Sequence, residues 1–190
     1  ITANITNWND RYNMTQYCLD RLPDLNTANK EIQGYVLNFL KECIDIGVDG
    51  FRFDATKHIE TESDDKSFGS DFWNNVVGGA EAYAAEQGYD LYCYGELLDE
   101  PGGALPISAY TKHLAVTDNS WGNTLRENIS SGKASISAGY DKAAAASQLV
   151  IWAESHDTFA DGSTDKISEE KINKTWALIA ARKDAMGLYL

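Results

Sequence analysis

Apolar residues at Ile32, Tyr35, Val36, Phe39, Leu40, Cys43 and Ile44 recur at intervals of three and four, which predicts a helix over 26–47 with these side chains on one buried face. Gly47 ends it. The next run, 48–54, is short, aromatic and alternating, and predicts a strand that leaves a polar end. A second unit repeats the order. Ser70 can cap a helix carrying Phe72, Trp73, Val76, Val77, Ala80 and Ala84; Gly88 separates it from a strand over 91–97. A weaker third unit places a strand over 114–117 and a helix over 123–129, followed by a strongly apolar strand over 148–153. Ser168 with Glu169 and Glu170 opens a final helix through Ile172, Trp176, Ile179 and Ala180, since acidic residues suit the first turn. The last strand is expected over 186–190. This alternation implies a parallel sheet covered by helices; a doubly wound sheet and a closed barrel both fit it. No Gly-rich phosphate loop follows any strand, which removes the strongest sign of a nucleotide fold. Without a linker or low-complexity tract, the chain reads as one domain.

The formal charge of −13 narrows the partners. Nucleic acid and anionic membranes would be repelled, whereas a neutral polymer or a cation would not. No apolar run is long enough to span a bilayer. The three cysteines, Cys18, Cys43 and Cys93, have no metal-ligand spacing; Cys43 and Cys93 fit buried small hydrophobes, and redox compartment stays open. The chain opens on Ile1-Thr2-Ala3-Asn4, so it is expected to begin within a longer protein or after processing.

Chemistry enters at the strand ends. Side chains in a strand alternate faces, so Arg52 and Asp54 share one side while Phe51 and Phe53 pack under helices on the other. Taken alone, this pair fits an ion pair that only fixes the strand as well as it fits a catalytic group. The same parity puts Tyr92, Tyr94 and Glu96 on one face, with Gly95 leaving room beside the carboxylate. A third strand runs into Glu154-Ser155-His156-Asp157 and places another carboxylate at a strand end. In a parallel barrel all strand C-termini meet at one face, which carries the active site. Glycoside cleavage with retention needs one carboxylate to attack and another to protonate the leaving oxygen, about 5–5.5 Å apart. Asp54 and Glu96 could supply that pair, and neighbouring anions, Asp54 and Asp157, would favour a protonated Glu96.

Gly50-Phe51-Arg52-Phe53-Asp54-Ala55-Thr56-Lys57-His58, Gly95-Glu96-Leu97 and Glu154-Ser155-His156-Asp157 resemble, in order and spacing, the motifs of the α-amylase family of glycoside hydrolases. Leu22-Pro23-Asp24-Leu25-Asn26 resembles a further short motif, and Trp8-Asn9-Asp10-Arg11 with Phe68-Gly69-Ser70-Asp71-Phe72-Trp73 looks closest to the secreted bacterial saccharifying type. The resemblance implies part of a TIM (β/α)8 barrel, roughly strands four to eight with their helices. It makes Asp54 the nucleophile, Glu96 the acid/base and Asp157 the transition-state stabiliser in retaining endo-hydrolysis of α-1,4 bonds of starch and maltooligosaccharides. Arg52 would hold Asp54 ionised; His156 would bind the sugar at the cleavage point, and Lys57 and His58 the leaving-group side. Trp121 and Trp152 are candidates for stacking on sugar rings, with core packing the better role for Trp152; His113 matches no motif and is read as structural. A structural Ca2+ is implied, with Asp24 giving side-chain oxygen and His58 its carbonyl. Thr158 stands where chloride-requiring members carry Asn, so no chloride site is expected. Secretion is implied by the family, and oligomeric state is left open.

The family's first Asp-rich motif is missing before Asp24, so residues 1–190 are expected to be an incomplete catalytic barrel domain without the first strands and the C-terminal β-domain. Residues 1–26 would be the end of an inserted loop region. The piece alone is expected to be poorly active. Competing readings are an α-glucosidase or transglycosylating relative, and a non-catalytic α-glucan-binding homologue; the latter typically loses carboxylates that this chain keeps.

Overall fold

The computed structural model describes residues 3–98, 100–133 and 139–189 of the chain, which divides into two compact units at 114/115. In the first unit Asp10 caps α1 (Arg11–Gln16), its carboxylate accepting the Asn13 amide at 2.8 Å. Asn29 caps α2 (Lys30–Asp45) in the same way through the Glu31 amide at 2.8 Å. Gly47, at a φ of 99°, then turns the chain toward β1 (Gly50–Phe53). A single 3-10 turn (Thr56–His58) leads on to α3 (Phe72–Glu86), β2 (Tyr92–Gly95) and α4 (Ser108–Thr111). The Ser70 hydroxyl accepts the Phe72 amide at 3.3 Å, so it serves the start of α3 although Asp71 occupies the cap position.

β1 and β2 run parallel, Gly50 opposite Tyr92 and Phe53 opposite Gly95. Gly50 is required by that approach: a Cβ there would lie 2.5 Å from the Tyr92 carbonyl oxygen. Phe53, Phe72 and Tyr110 meet Trp73 edge-on, with centroids 5.2–5.9 Å apart, and Trp73 is fully buried. The face of α2 differs from expectation, because Tyr35 and Phe39 are 64% and 62% exposed. The buried line is Gln33, Leu40 and Ile44. Gln33 sets that rotation: its amide accepts from Asn75 on α3 at 2.8 Å and donates to the Thr27 carbonyl at 2.8 Å. Leu37 meanwhile packs against Gly79 of α3. A buried amide must find partners, and Gln33 finds them at Asn75 and Thr27 on the side of α2 that faces α3.

The second unit comprises β3 (Ala115–Thr117), α5 (Asn119–Ser130), β4 (Leu149–Ile151), α6 (His156–Ala160), α7 (Glu169–Ala180) and β5 (Met186–Gly187). β4 is paired in parallel on both sides, Val116 opposite Leu149 and Val150 opposite Met186. Leu190, the end of the expected last strand, lies outside the described residues. Trp121, Leu125, Ile129, Ile151, Ala153 and Ile179 form the core. α5 starts four residues before its apolar periodicity suggests, because the buried Asp118 caps it. One carboxylate oxygen accepts the Trp121 amide at 3.3 Å; the other takes the Asp141 and Lys142 amides at 2.9 and 3.1 Å. Trp121, only 1% exposed, is a core residue and cannot stack on a sugar, and Trp152 is buried too.

Among the described residues none of the three cysteines forms a disulfide; Cys18 and Cys93 are buried and Cys43 half-buried. Burial, reinforced by Glu81, pushes the Cys93 thiol up to about 12, so it stays an inert small hydrophobe. Among the described residues no helix is long and apolar enough to cross a membrane.

Two glycines test these contacts. A Cβ on Gly122 would sit 2.1 Å from the Trp152 carbonyl oxygen, so the backbone must give. Gly122→Ala is expected to destabilise by about 1–3 kcal/mol. A Cβ on Gly34 in α2 meets nothing within 4 Å. Gly34→Ala is therefore expected to stabilise by about 0.5–1 kcal/mol, both measured by urea unfolding.

Candidate active site

The β1–β2 register continues past the last paired residues and sets Asp54 beside Glu96 at the C-terminal ends of strands about 4.8 Å apart. Arg52 lies between them. Its Nη1 donates to Asp54 Oδ1 at 2.6 Å, and its Nη2 lies 2.8 Å from Glu96 Oε1. These two carboxylates hold the guanidinium pKa above its ordinary value against the opposing effect of desolvation. Their surroundings differ: the Asp54 side chain is 73% exposed and that of Glu96 only 12%. The guanidinium that holds Asp54 is thus in contact with Glu96 as well.

Local backbone devices hold Glu96. Ala55 takes a left-handed conformation (φ 48°, ψ 36°), unusual for a residue with a Cβ, and aims its amide at Glu96 Oε2, 3.2 Å away. The Glu96 amide donates to the Phe53 carbonyl at 2.8 Å, and its own carbonyl accepts the Thr56 amide at 3.0 Å. Gly95 makes the approach possible, since a Cβ there would lie 2.3 Å from Thr56 Oγ1.

The turn after Asp54 carries Lys57 and His58. His58 Nδ1 sits 3.0 Å from the Met14 carbonyl, which fixes Nδ1 as donor and leaves Nε2 as acceptor. Burial holds the imidazole below its ordinary range, and Lys57 and Arg11 act in the same direction, so it is neutral near pH 7. Lys57 is buried, with Nζ 6.0 Å from the centroid of the Trp8 ring. Trp8 stands edge-on to His58 at 5.8 Å and is 52% exposed. Beneath this turn the Arg11 guanidinium pairs with Asp64 through two bonds of 2.8 and 2.9 Å.

In the second unit β4 delivers Glu154-Ser155-His156-Asp157. Ser155 caps α6, accepting the Thr158 amide at 3.3 Å, while Thr158 Oγ1 accepts the Ser155 amide at 2.9 Å. His156 Nε2 lies 3.6 Å from Asp157 Oδ1, and both side chains are exposed. The structure thus brings Arg52, Asp54 and Glu96 together in one unit and His156 with Asp157 in the other. Asp24 lies in an exposed segment of the first unit; desolvation and the charge of Glu60 hold its carboxyl above the ordinary range. Glu60 is buried and accepts from the Thr27 hydroxyl at 2.8 Å and from Gln16 at 3.4 Å. His113 pairs with Glu62 at 2.9 Å, a structural contact. Reading by periodicity singled out neither Arg11 nor Glu60; Trp8 and Arg11 entered only as parts of one family motif.

The model of the alpha amylase catalytic domain matches residues 4–99, which include Asp24, Arg52, Asp54, Lys57, His58 and Glu96. An alpha-amylase of Clostridium acetobutylicum is 33% identical over 187 residues, 97% of this chain and 24% of that protein. The chain therefore spans about a quarter of this relative's length. Among solved structures, alpha-amylase I from Eisenia fetida superposes with a TM-score of 0.72 at 18% identity, covering 97% of this chain and 39% of that one. The alpha-amylase of Geobacillus thermoleovorans, complexed with acarbose, gives 0.66 at 19% identity over 98% and 42%. The shared fold is part of a TIM (β/α)8 barrel, one of the two that the strand–helix alternation allows and the one that the family resemblance implies.

Asp64 supplies a pH test of the first unit. Burial raises its carboxyl pKa, but the Arg11 and Thr61 bonds outweigh that and leave it below the ordinary range. A depressed folded-state pKa contributes stability that is present above the unfolded value of about 3.9 and lost as pH falls through the folded one. Asp64→Asn is expected to flatten the acid limb of stability, read by urea unfolding between pH 6 and pH 3. An acid limb as steep as the wild type's would contradict this.

Proposed function

The chain belongs to the alpha-amylase catalytic domain family, and from that premise we propose that it is the site-bearing part of a glycoside hydrolase that cleaves internal α-1,4 bonds of starch with retention. The observation that carries this reading is the single guanidinium spanning Asp54 and Glu96 at adjacent parallel strand ends. Asp54, exposed and aimed by Arg52, attacks the anomeric carbon. Glu96, on a half-enclosed wall, protonates the glycosidic oxygen, and the leaving sugar departs from a covalent glycosyl-enzyme. Glu96 then takes a proton from water, whose oxygen displaces Asp54. Both Glu96 oxygens already accept hydrogen bonds, so a proton on either still leaves the other held in place. Neutral His58 offers Nε2 as acceptor for a sugar hydroxyl on the leaving-group side. Asp157 is assigned transition-state stabilisation and His156 a sugar contact, by the family motif that they match.

A structural calcium fits the donor chemistry at Asp24. Two neighbouring carboxylates, Asp24 and Glu60, lie where a hard cation would relieve their repulsion. Among the described residues no three His, Cys, Asp or Glu side chains converge on one metal position, so the His58 carbonyl and water would complete the shell. The ion would tie the 19–29 segment to the turn that carries His58.

In the full-length enzyme Glu96→Gln is expected to lower kcat on maltoheptaose by about 10³-fold while amylose binding persists. Proton NMR of early products should show the α-anomer first. Undiminished turnover, or the β-anomer first, would sink the assignment; glucose as the sole initial product would favour an exo-acting relative.

A further inference from the structure

The Arg11 guanidinium is 7% exposed, and each of its five N–H donors has an acceptor. Nε and Nη2 grip the two oxygens of Asp64, and Nη2 also donates to the Tyr110 hydroxyl at 2.9 Å. Nη1 donates to two backbone carbonyls, those of Lys57 at 2.8 Å and Pro101 at 2.9 Å. The fully buried Tyr110 passes the grip on, its hydroxyl donating to the Ile59 carbonyl at 2.8 Å. The carbonyls on either side of His58 are therefore both pinned from one cation, while the imidazole is pinned by the Met14 carbonyl from the same helix as Arg11.

The Pro101 bond reaches the segment that follows Glu96. There Gly102, Gly103 and Ala104 all take positive φ, of 80°, 56° and 60°. A Cβ on Gly103 would lie 2.5 Å from Arg11 Cγ, and one on Gly102 would lie 2.7 Å from Met14 Sδ. That backbone is folded down onto α1 as closely as glycine allows. A buried ion pair contributes little net stability compared with apolar packing of the same volume, so five satisfied donors are better explained by what they position.

We propose that Arg11, with Asp64 and Tyr110, is a positioning unit that sets the Lys57–His58 turn and the 101–104 segment, and thereby governs how the enzyme holds the leaving-group half of an α-glucan. The proposal rests on the functional reading above. Arg11 touches no reacting atom. Its loss loosens the Lys57–His58 turn and the 101–104 segment while leaving Arg52, Asp54 and Glu96 paired among themselves. Binding beyond the cleaved bond should suffer more than the chemical step.

The test uses the full-length enzyme with Arg11→Met and Tyr110→Phe, scored by kcat, KM and bond-cleavage frequencies on maltoheptaose at a temperature where circular dichroism shows each variant folded. Arg11→Met is expected to raise KM about tenfold with kcat changed less than threefold, and to shift the cleaved bond toward one end of the substrate. Tyr110→Phe, which deletes only the hydroxyl, should shift the pattern in the same direction by a smaller amount. Folded variants with wild-type KM and wild-type pattern, or a lowered Tm as the only change, would overturn the positioning role. If Arg11→Met does not fold, Tyr110→Phe alone decides by the same criterion. A wild-type enzyme that cleaves no α-glucan would overturn the functional reading instead, so the two failures are distinguishable.

Discussion

The register of β1 against β2 is the constraint on which the first unit's chemistry depends. A one-residue slip of β2 would turn Glu96 to the helix-covered side, and one of β1 would put Phe53 where Asp54 stands, because side chains alternate with a period of two. Two glycines secure the register by making close approach possible, Gly50 against the Tyr92 carbonyl and Gly95 against Thr56. Trp73 holds the other side of the same strand, with the Phe53 ring edge-on to it at 5.5 Å. Apolar packing beneath the sheet thus determines which carboxylates stand above it.

Two arginines in this unit do opposite work. Arg52 is partly open to solvent and pairs with two carboxylates, the exposed Asp54 and the largely buried Glu96, so water can screen the Asp54 pair and that side chain can rearrange. Arg11 is buried, and two of its five bonds go to peptide carbonyls, which cannot move without moving backbone. The same guanidinium chemistry therefore gives an adaptable electrostatic partner in one place and a fixed strut in the other. Burial and acceptor type make the difference.

Much of the fold could be read from the chain because its signals are local and periodic. The spacing through Val76, Val77 and Ala80 gave α3, the parity of 51–54 placed Phe53 under a helix beside Trp73, and the apolar run at 149–151 gave the buried β4. Short elements without a period escaped: α1, α4, α6 and the 3-10 turn at Thr56–His58. The rotation of α2 escaped as well, since Tyr35 and Phe39 satisfy helical spacing as well as Leu40 and Ile44 do. Only the need of one buried amide, Gln33, for partners on α3 and at Thr27 distinguishes the faces.

The same distinction separates the parts of the site. Asp54 and Glu96 stand at strand ends, and a strand end announces itself through the apolar run before it. Arg11 lies 46 residues from Lys57, 53 from Asp64 and 90 from Pro101 in sequence. Two of its acceptors are peptide carbonyls, which every residue carries, so nothing in the identity of Lys57 or Pro101 marks them as receivers. The residues proposed to perform chemistry are legible because their side chains are unusual for where they stand. A residue that holds backbone leaves a mark only at its own position, and for Arg11 that mark is a place in a short motif that says nothing of what the guanidinium grips.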